Sequence, residues 1–147
     1  MASTNANSYT RRYLPPVGSG NTLTMVSEIS VSANPTANDT IKLFHEDDLR
    51  NLRLVSVVLG ADTDMDTNGA PTLSATIRAN DGSTQQNALA ASTVLGGTTA
   101  ANGVGLGAAV GYKFTGTHWL ELLWAATAAT FAAGTVYVVA TFVRAQD

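Results

Sequence analysis

Six residues, DMDTNG at 64–69, put Asp64, Asp66 and Asn68 on alternate positions and close on Gly69. Oxygen donors at that spacing, followed by glycine, are what a helix–loop–helix calcium loop uses at its positions 1, 3, 5 and 6. Such a loop also needs a bidentate glutamate at position 12, and that place is held by Ala75. Aspartate and asparagine are equally at home in bends between strands, because their side chains bond to the backbone nearby. The stretch reads as a polar bend, with a non-standard cation site that enlists Asp62 left open.

The other chemistry-bearing residues are sparse. His45 and His118 lie far apart and fall in no metal-ligand spacing; they read as capping or strand-edge residues. HEDD at 45–48 crowds three carboxylates, yet neighbours on one loop point in divergent directions and suit a solvated face better than a glycosidase pair. GVGLG at 103–107 lacks the spacing and the helix of a nucleotide loop. Nothing assembles a nucleophile, a base and an oxyanion donor, so the chain does not read as an enzyme, and no cofactor is implied. Trp119 and Trp124 lie on opposite faces of one strand by the period-two rule. One is expected in the core; the other is either a sugar-stacking platform, an interface anchor or a residue covered by the protein's own loops.

The totals explain this poverty of sites. Of 147 residues, 45% are apolar but only 13% are charged, about half the charged share of an ordinary soluble domain. Alanine, threonine, serine, asparagine and glycine take the place of charge. Such a surface is weakly protected against association, which suggests that partners cover much of it. The net charge of −3 speaks against a broad grip on nucleic acid or anionic membrane. There is no cysteine, hence no disulfide, thiolate ligand or thiol nucleophile. The N-terminal stretch has no apolar core before its arginines and does not read as a secretion signal. The apolar run 119–143 is rich in β-branched residues and holds Glu121 and Gly134, which fits two strands and a loop rather than a membrane span.

Those strands must position whatever the protein uses. Residues 1–21 read as an extended N-terminal arm, and 22–147 as one β-sandwich domain. In the arm, Tyr9, Arg11, Arg12, Tyr13 and Leu14 combine aromatic and cationic groups just before Pro15-Pro16, a composition that interfaces favour. From residue 22 a period of two sets in. Leu23, Met25, Ile29 and Val31 share one face of a strand, and Leu73, Ala75 and Ile77 share the inner face of another, with Thr72, Ser74, Thr76 and Arg78 outward. TIKLF at 40–44 is a short strand and HEDDLRN a single helical turn. LRLVSVVLG at 52–60, apolar on both sides in its second half, is expected in the middle of a sheet. Residues 84–96 are Ala-rich enough for a short helix, and 97–111 form a glycine-rich loop. HWLELLW and TVYVVATFVR supply the last two strands. Short strands between turn clusters specify an all-β fold, and an antiparallel sandwich of jelly-roll type is the expected architecture.

Taken in order, LRLVSVVLG, the acidic bend DTDMDTNGAP, TLSATIRANDGS, NALAASTVLGG and AAGTVYVVATFVR resemble the capsid decoration, or cement, proteins of tailed bacteriophages. The likeness spans residues 50–144 and carries no catalytic signature. It implies a sandwich that binds the outside of an icosahedral head, assembled in the cytoplasm of a bacterial host. The major capsid protein would be its partner, and a homotrimer, with no nucleic acid or membrane, its form. The arm residues Tyr9 to Leu14 would then be contacts to the capsid or a partner. The rival readings are a carbohydrate-binding or adhesin domain of a phage fibre or tail, another virion part such as a head–tail joining or tube protein, and a hydrolase built from the Asp-rich bend and His118.

Overall fold

The computed structural model describes residues 3–5, 10–13, 22–83, 86–89, 92–96, 104–106 and 111–144. Among them the chain runs through β1 (Ser3–Asn5), β2 (Thr10–Tyr13), β3 (Thr22–Val31), β4 (Thr40–Phe44), the single helical turn α1 (Glu46–Leu49), β5 (Leu52–Ala61) and β6 (Ser74–Asn80). It continues through β7 (Gln86–Ala88), β8 (Thr93–Val94), β9 (Val104–Leu106), β10 (Lys113–Phe114), β11 (Trp119–Ala126) and β12 (Gly134–Arg144). Two sheets result. One has the order β1-β4-β11-β6-β7, with β8 also on β6; the other has β10-β5-β12-β3-β2, with β9 also on β5. Every pairing is antiparallel except β1 with β4. Without the short flanking strands, the orders β4-β11-β6-β7 and β3-β12-β5-β9 are the two four-stranded sheets of a jelly roll.

The alternation in the sequence becomes the core. Along β3 every second residue from Leu23 to Val31 is buried, Ser27 included, while the residues between stay wet or half-wet. Leu54, Leu59, Ile77, Leu120, Leu122, Val136 and Val138 meet from the two sheets. Phe142 anchors this layer, edge-on to Phe44 at 6.4 Å and to Phe114 at 6.0 Å. Burying each large side chain contributes about 2 kcal/mol. The helical turn begins where His45 accepts the backbone N–H of Asp47 on Nδ1 at 3.2 Å. Just beyond it, Asn51 takes the left-handed conformation (φ 62°) that asparagine tolerates.

One expectation needs correction. The Ala-rich segment is not a helix: its described parts, β7 and β8, pair with β6, because a sheet edge in need of partners outweighs a modest helix preference. Strand β5 lies inside its sheet, between β10 and β12, as expected from its sequence, with one face open. Leu54, Val57 and Leu59 point inward, but Val55 and Val58 face outward and remain 37% and 41% exposed, since this antiparallel sheet has one open side.

Candidate interaction surface

The acidic bend is an interior fastening. Asp64 Oδ1 accepts the N–H of Asp66, Asp66 Oδ1 that of Asn68, and Asn68 Oδ1 that of Ala70. The alternate spacing is therefore three successive turns in which each side chain caps the residue two positions on. The middle one does more. Its carboxylate is buried and also accepts from Thr72 at 2.7 Å, Leu73 at 3.0 Å, Ala129 at 3.1 Å and Thr130 at 3.0 Å. Burial alone would push the Asp66 pKa up, but the backbone N–H groups of Leu73, Thr130, Thr72 and Ala129 outweigh it and hold the acid well below the usual carboxylate range. Asn34 fastens the same 127–131 loop, accepting from Thr127 and Ala128 and donating to the Ala128 carbonyl, all at 3.0 Å. Strand β12 then starts at Gly134, where a Cβ would lie 2.5 Å from the Thr63 hydroxyl; only glycine allows the bend that close. Asp62 Oδ1, Asp64 Oδ1, both carboxylate oxygens of Asp66 and Asn68 Oδ1 already accept backbone N–H groups. Among the described residues no group of three or more ligand-type side chains is placed to hold a metal.

A second polar cluster lies on the outer face of β11 and β6. Glu121 is fully buried and accepts Arg78 Nε at 2.5 Å, Asn80 Nδ2 at 3.1 Å and Trp119 Nε1 at 2.8 Å. Register explains the meeting: Glu121 stands opposite Arg78 on one side and Lys42 on the other. Arg78 and Asn80 thus point outward, as the alternation requires, yet are covered. Trp124 is the core tryptophan. Trp119 is half-buried, with the Lys42 ammonium 4.3 Å from its ring centroid, so neither indole is a bare stacking platform. The carboxylates of 46–48 diverge, Glu46 to Lys42 at 2.9 Å and Asp47 toward Arg50 at 3.6 Å. His118 sits by Thr117 and Asp81, while the bend is fastened to 127–135. Nothing in the sequence marks Asp66 as a buried hub; for Glu121 the available signal is its place as a lone charge in an apolar strand.

What the fold leaves open is surface. The outer face of the β5-β12-β3 sheet carries a row in which Val26, Val139 and Val58 are in register, with exposed Val55 nearby. Val55 and Val58 are exposed there and Val26 and Val139 half-buried, an apolar patch of the kind that marks contact sites. Strand β2 pairs with β3 as Thr10↔Ser27, Arg11↔Val26, Arg12↔Met25 and Tyr13↔Thr24, so Arg11 stands at the register position beside Val26. Of the arm residues singled out by sequence, Arg11, Arg12 and Tyr13 thus lie on β2, and Tyr9 and Leu14 fall outside the described residues. Beyond the row, an open cleft of about 210 Å³ at the rim between β3 and β4 is lined by Val31, Pro35, Asp39, Ile41 and Trp124.

No family model matches the sequence, and neither does any curated protein. The fold has solved counterparts. A chain in the cyanophage Pam1 capsid asymmetric unit superposes with a TM-score of 0.68 at 19% identity, over 90% of this chain and 91% of that one. A chain in the capsid of Ralstonia phage GP4 does so with a TM-score of 0.67 at 23% identity, over 92% and 93%. At such identities the likeness establishes a shared fold: over about nine-tenths of its length this chain has the sandwich found in two phage capsid structures.

Proposed function

We propose that this protein is a structural component of a tailed-phage virion, a decoration protein that lies on the outside of the icosahedral head and ties neighbouring capsomers together. The observation that carries the reading is the near-complete superposition, in both directions, on chains from two phage capsids. The chemistry agrees. The conspicuous carboxylates, Asp66 and Glu121, are consumed by internal hydrogen bonds, while a charge-poor surface offers a valine row and an arm rich in tyrosine and arginine. Contact area, not reaction chemistry, is what the molecule presents. Its partner is the major capsid protein, and a homotrimer would let several weak arms act together through effective concentration. Assembly takes place in the bacterial cytoplasm.

The test is sedimentation with purified shells of the virus that carries this chain. The full chain is expected to co-sediment and raise the temperature at which the shells rupture. A chain lacking residues 1–16, or one with Arg11→Glu and Arg12→Glu, is expected to remain in the supernatant. Truncated and substituted chains that bind as well as the full one would remove the arm from the mechanism. Failure of the full chain to bind would remove the decoration role itself.

A further inference from the structure

The first thirteen residues do something that a trailing tail does not. Strand β1 lies on the edge of one sheet beside β4, and β2 lies on the edge of the other beside β3. Since β3 and β4 are consecutive, these two edges border the same flank of the sandwich. Packed sheets are about 10 Å apart. Four residues separate β1 from β2 in the sequence, and a chain of that length can span roughly 17 Å, enough to join strands on two sheets. Strands β1 and β2 thus cover two edges at once.

The connection on the other side of β2 has the opposite character. Tyr13 pairs with Thr24, so the chain between them needs to turn through one strand spacing, about 5 Å. Hairpins do this with two to five residues. Here the stretch 14–21, LPPVGSGN, supplies eight, enough to reach roughly 30 Å when extended. Its adjacent prolines favour an extended course over a tight turn. The length and the prolines suit a segment that travels.

The edges themselves require a cover. Strand β3 is ten residues long, TLTMVSEISV, with Glu28 its only charge and no proline, so an open β3 edge is a template for uncontrolled pairing. The segment that fits both edges in register is residues 3–13 of an identical chain. Exchanging it leaves every strand pairing unchanged and alters only the course of 14–21, which is why such swaps cost little.

We infer that residues 3–13 are an exchangeable two-strand clip, and that copies of this chain trade it, each closing the flank of a neighbour. The inference rests on the arm being the interacting part, as proposed above, and adds a second copy of the same chain to the major capsid protein as what the arm engages. If the circuit closes after three copies, the exchange itself holds the trimer together.

The chain has no cysteine, which makes the test clean. Arg11 and Val26 stand directly opposite across β2 and β3, at the separation a disulfide spans. A chain with R11C is refolded together with a chain carrying V26C and mildly oxidised, without shells. A covalent heterodimer is expected, several-fold more abundant than in a mixture of R11C with V58C, whose cysteine is exposed on the same sheet but two strands away. The doubly substituted chain is expected to give covalent multimers. Only intrachain bonds in the double variant, with the mixed pair no better linked than its control, overturn the exchange. Tyr13→Cys with Thr24→Cys repeats the measurement if the first pair impairs folding. Shell binding without inter-copy links leaves the decoration role standing and removes the clip; links without shell binding do the reverse.

Discussion

Asp66 is a carboxylate stripped of water and resupplied with backbone donors from three parts of the chain, its own bend, Thr72–Leu73 and the 129–130 loop. Asp66→Asn keeps the shape but turns one acceptor into a donor facing N–H groups. A loss of about 3 kcal/mol is expected, read as a drop in melting temperature of roughly 8 °C. The pH dependence has a defined sign. The folded pKa lies below the unfolded value of about 3.9, so the stabilisation is complete above that value and drains away as pH falls toward the folded one. Melting between pH 7 and pH 3 should therefore show a steep decline below about pH 4 in the natural chain and a shallower one in D66N. Calcium should have no bearing on it: excess Ca²⁺ followed by chelator is expected to leave the melting temperature in place, and a shift of several degrees would reinstate a cation at the bend. The sequence announced the bend through its Asx-rich spacing. It could not announce the clasp, because the donors from 129 and 130 arrive from sixty residues away.

Among the elements, strands whose two faces differ were readable. In β3 and β6 the inner residues follow the alternation without exception. Where both faces are apolar, as in β5, alternation carries no information about which side is covered. Short edge strands such as β7 and β8 owe their existence to β6, so local composition misled. The Arg78–Glu121 pair lies in between: each strand was readable, the register that joins them was not. Its energetics can be separated. Glu121→Leu alone strands a covered guanidinium and should cost about 3–5 kcal/mol in chemical denaturation. Adding Arg78→Met should restore most of that loss, because a well-packed apolar pair replaces a desolvated ionic one. A double variant as unstable as the single would show that Asn80 and Trp119, left without their acceptor, dominate instead.

At the scale of the whole molecule, the jelly roll was legible from strand count and turn spacing, and the capsid resemblance agrees with the counterparts found for the fold. The order of strands within each sheet was not, since pairing depends on long-range contacts that no local pattern encodes. Size-exclusion chromatography with light scattering is expected to give three times the chain mass. Val58→Lys, placed in the exposed valine row, should weaken shell binding while shifting the melting temperature by no more than about 2 °C.

One pairing sets the timetable of folding. Strand β3 precedes its neighbour β12 by more than a hundred residues, so Met25 must wait for Ala140. The sheet that holds them cannot close until β12 is present, and pairing across so long a separation slows folding. Meanwhile β2, from this chain or from a copy, can cover one side of β3 until that final neighbour arrives.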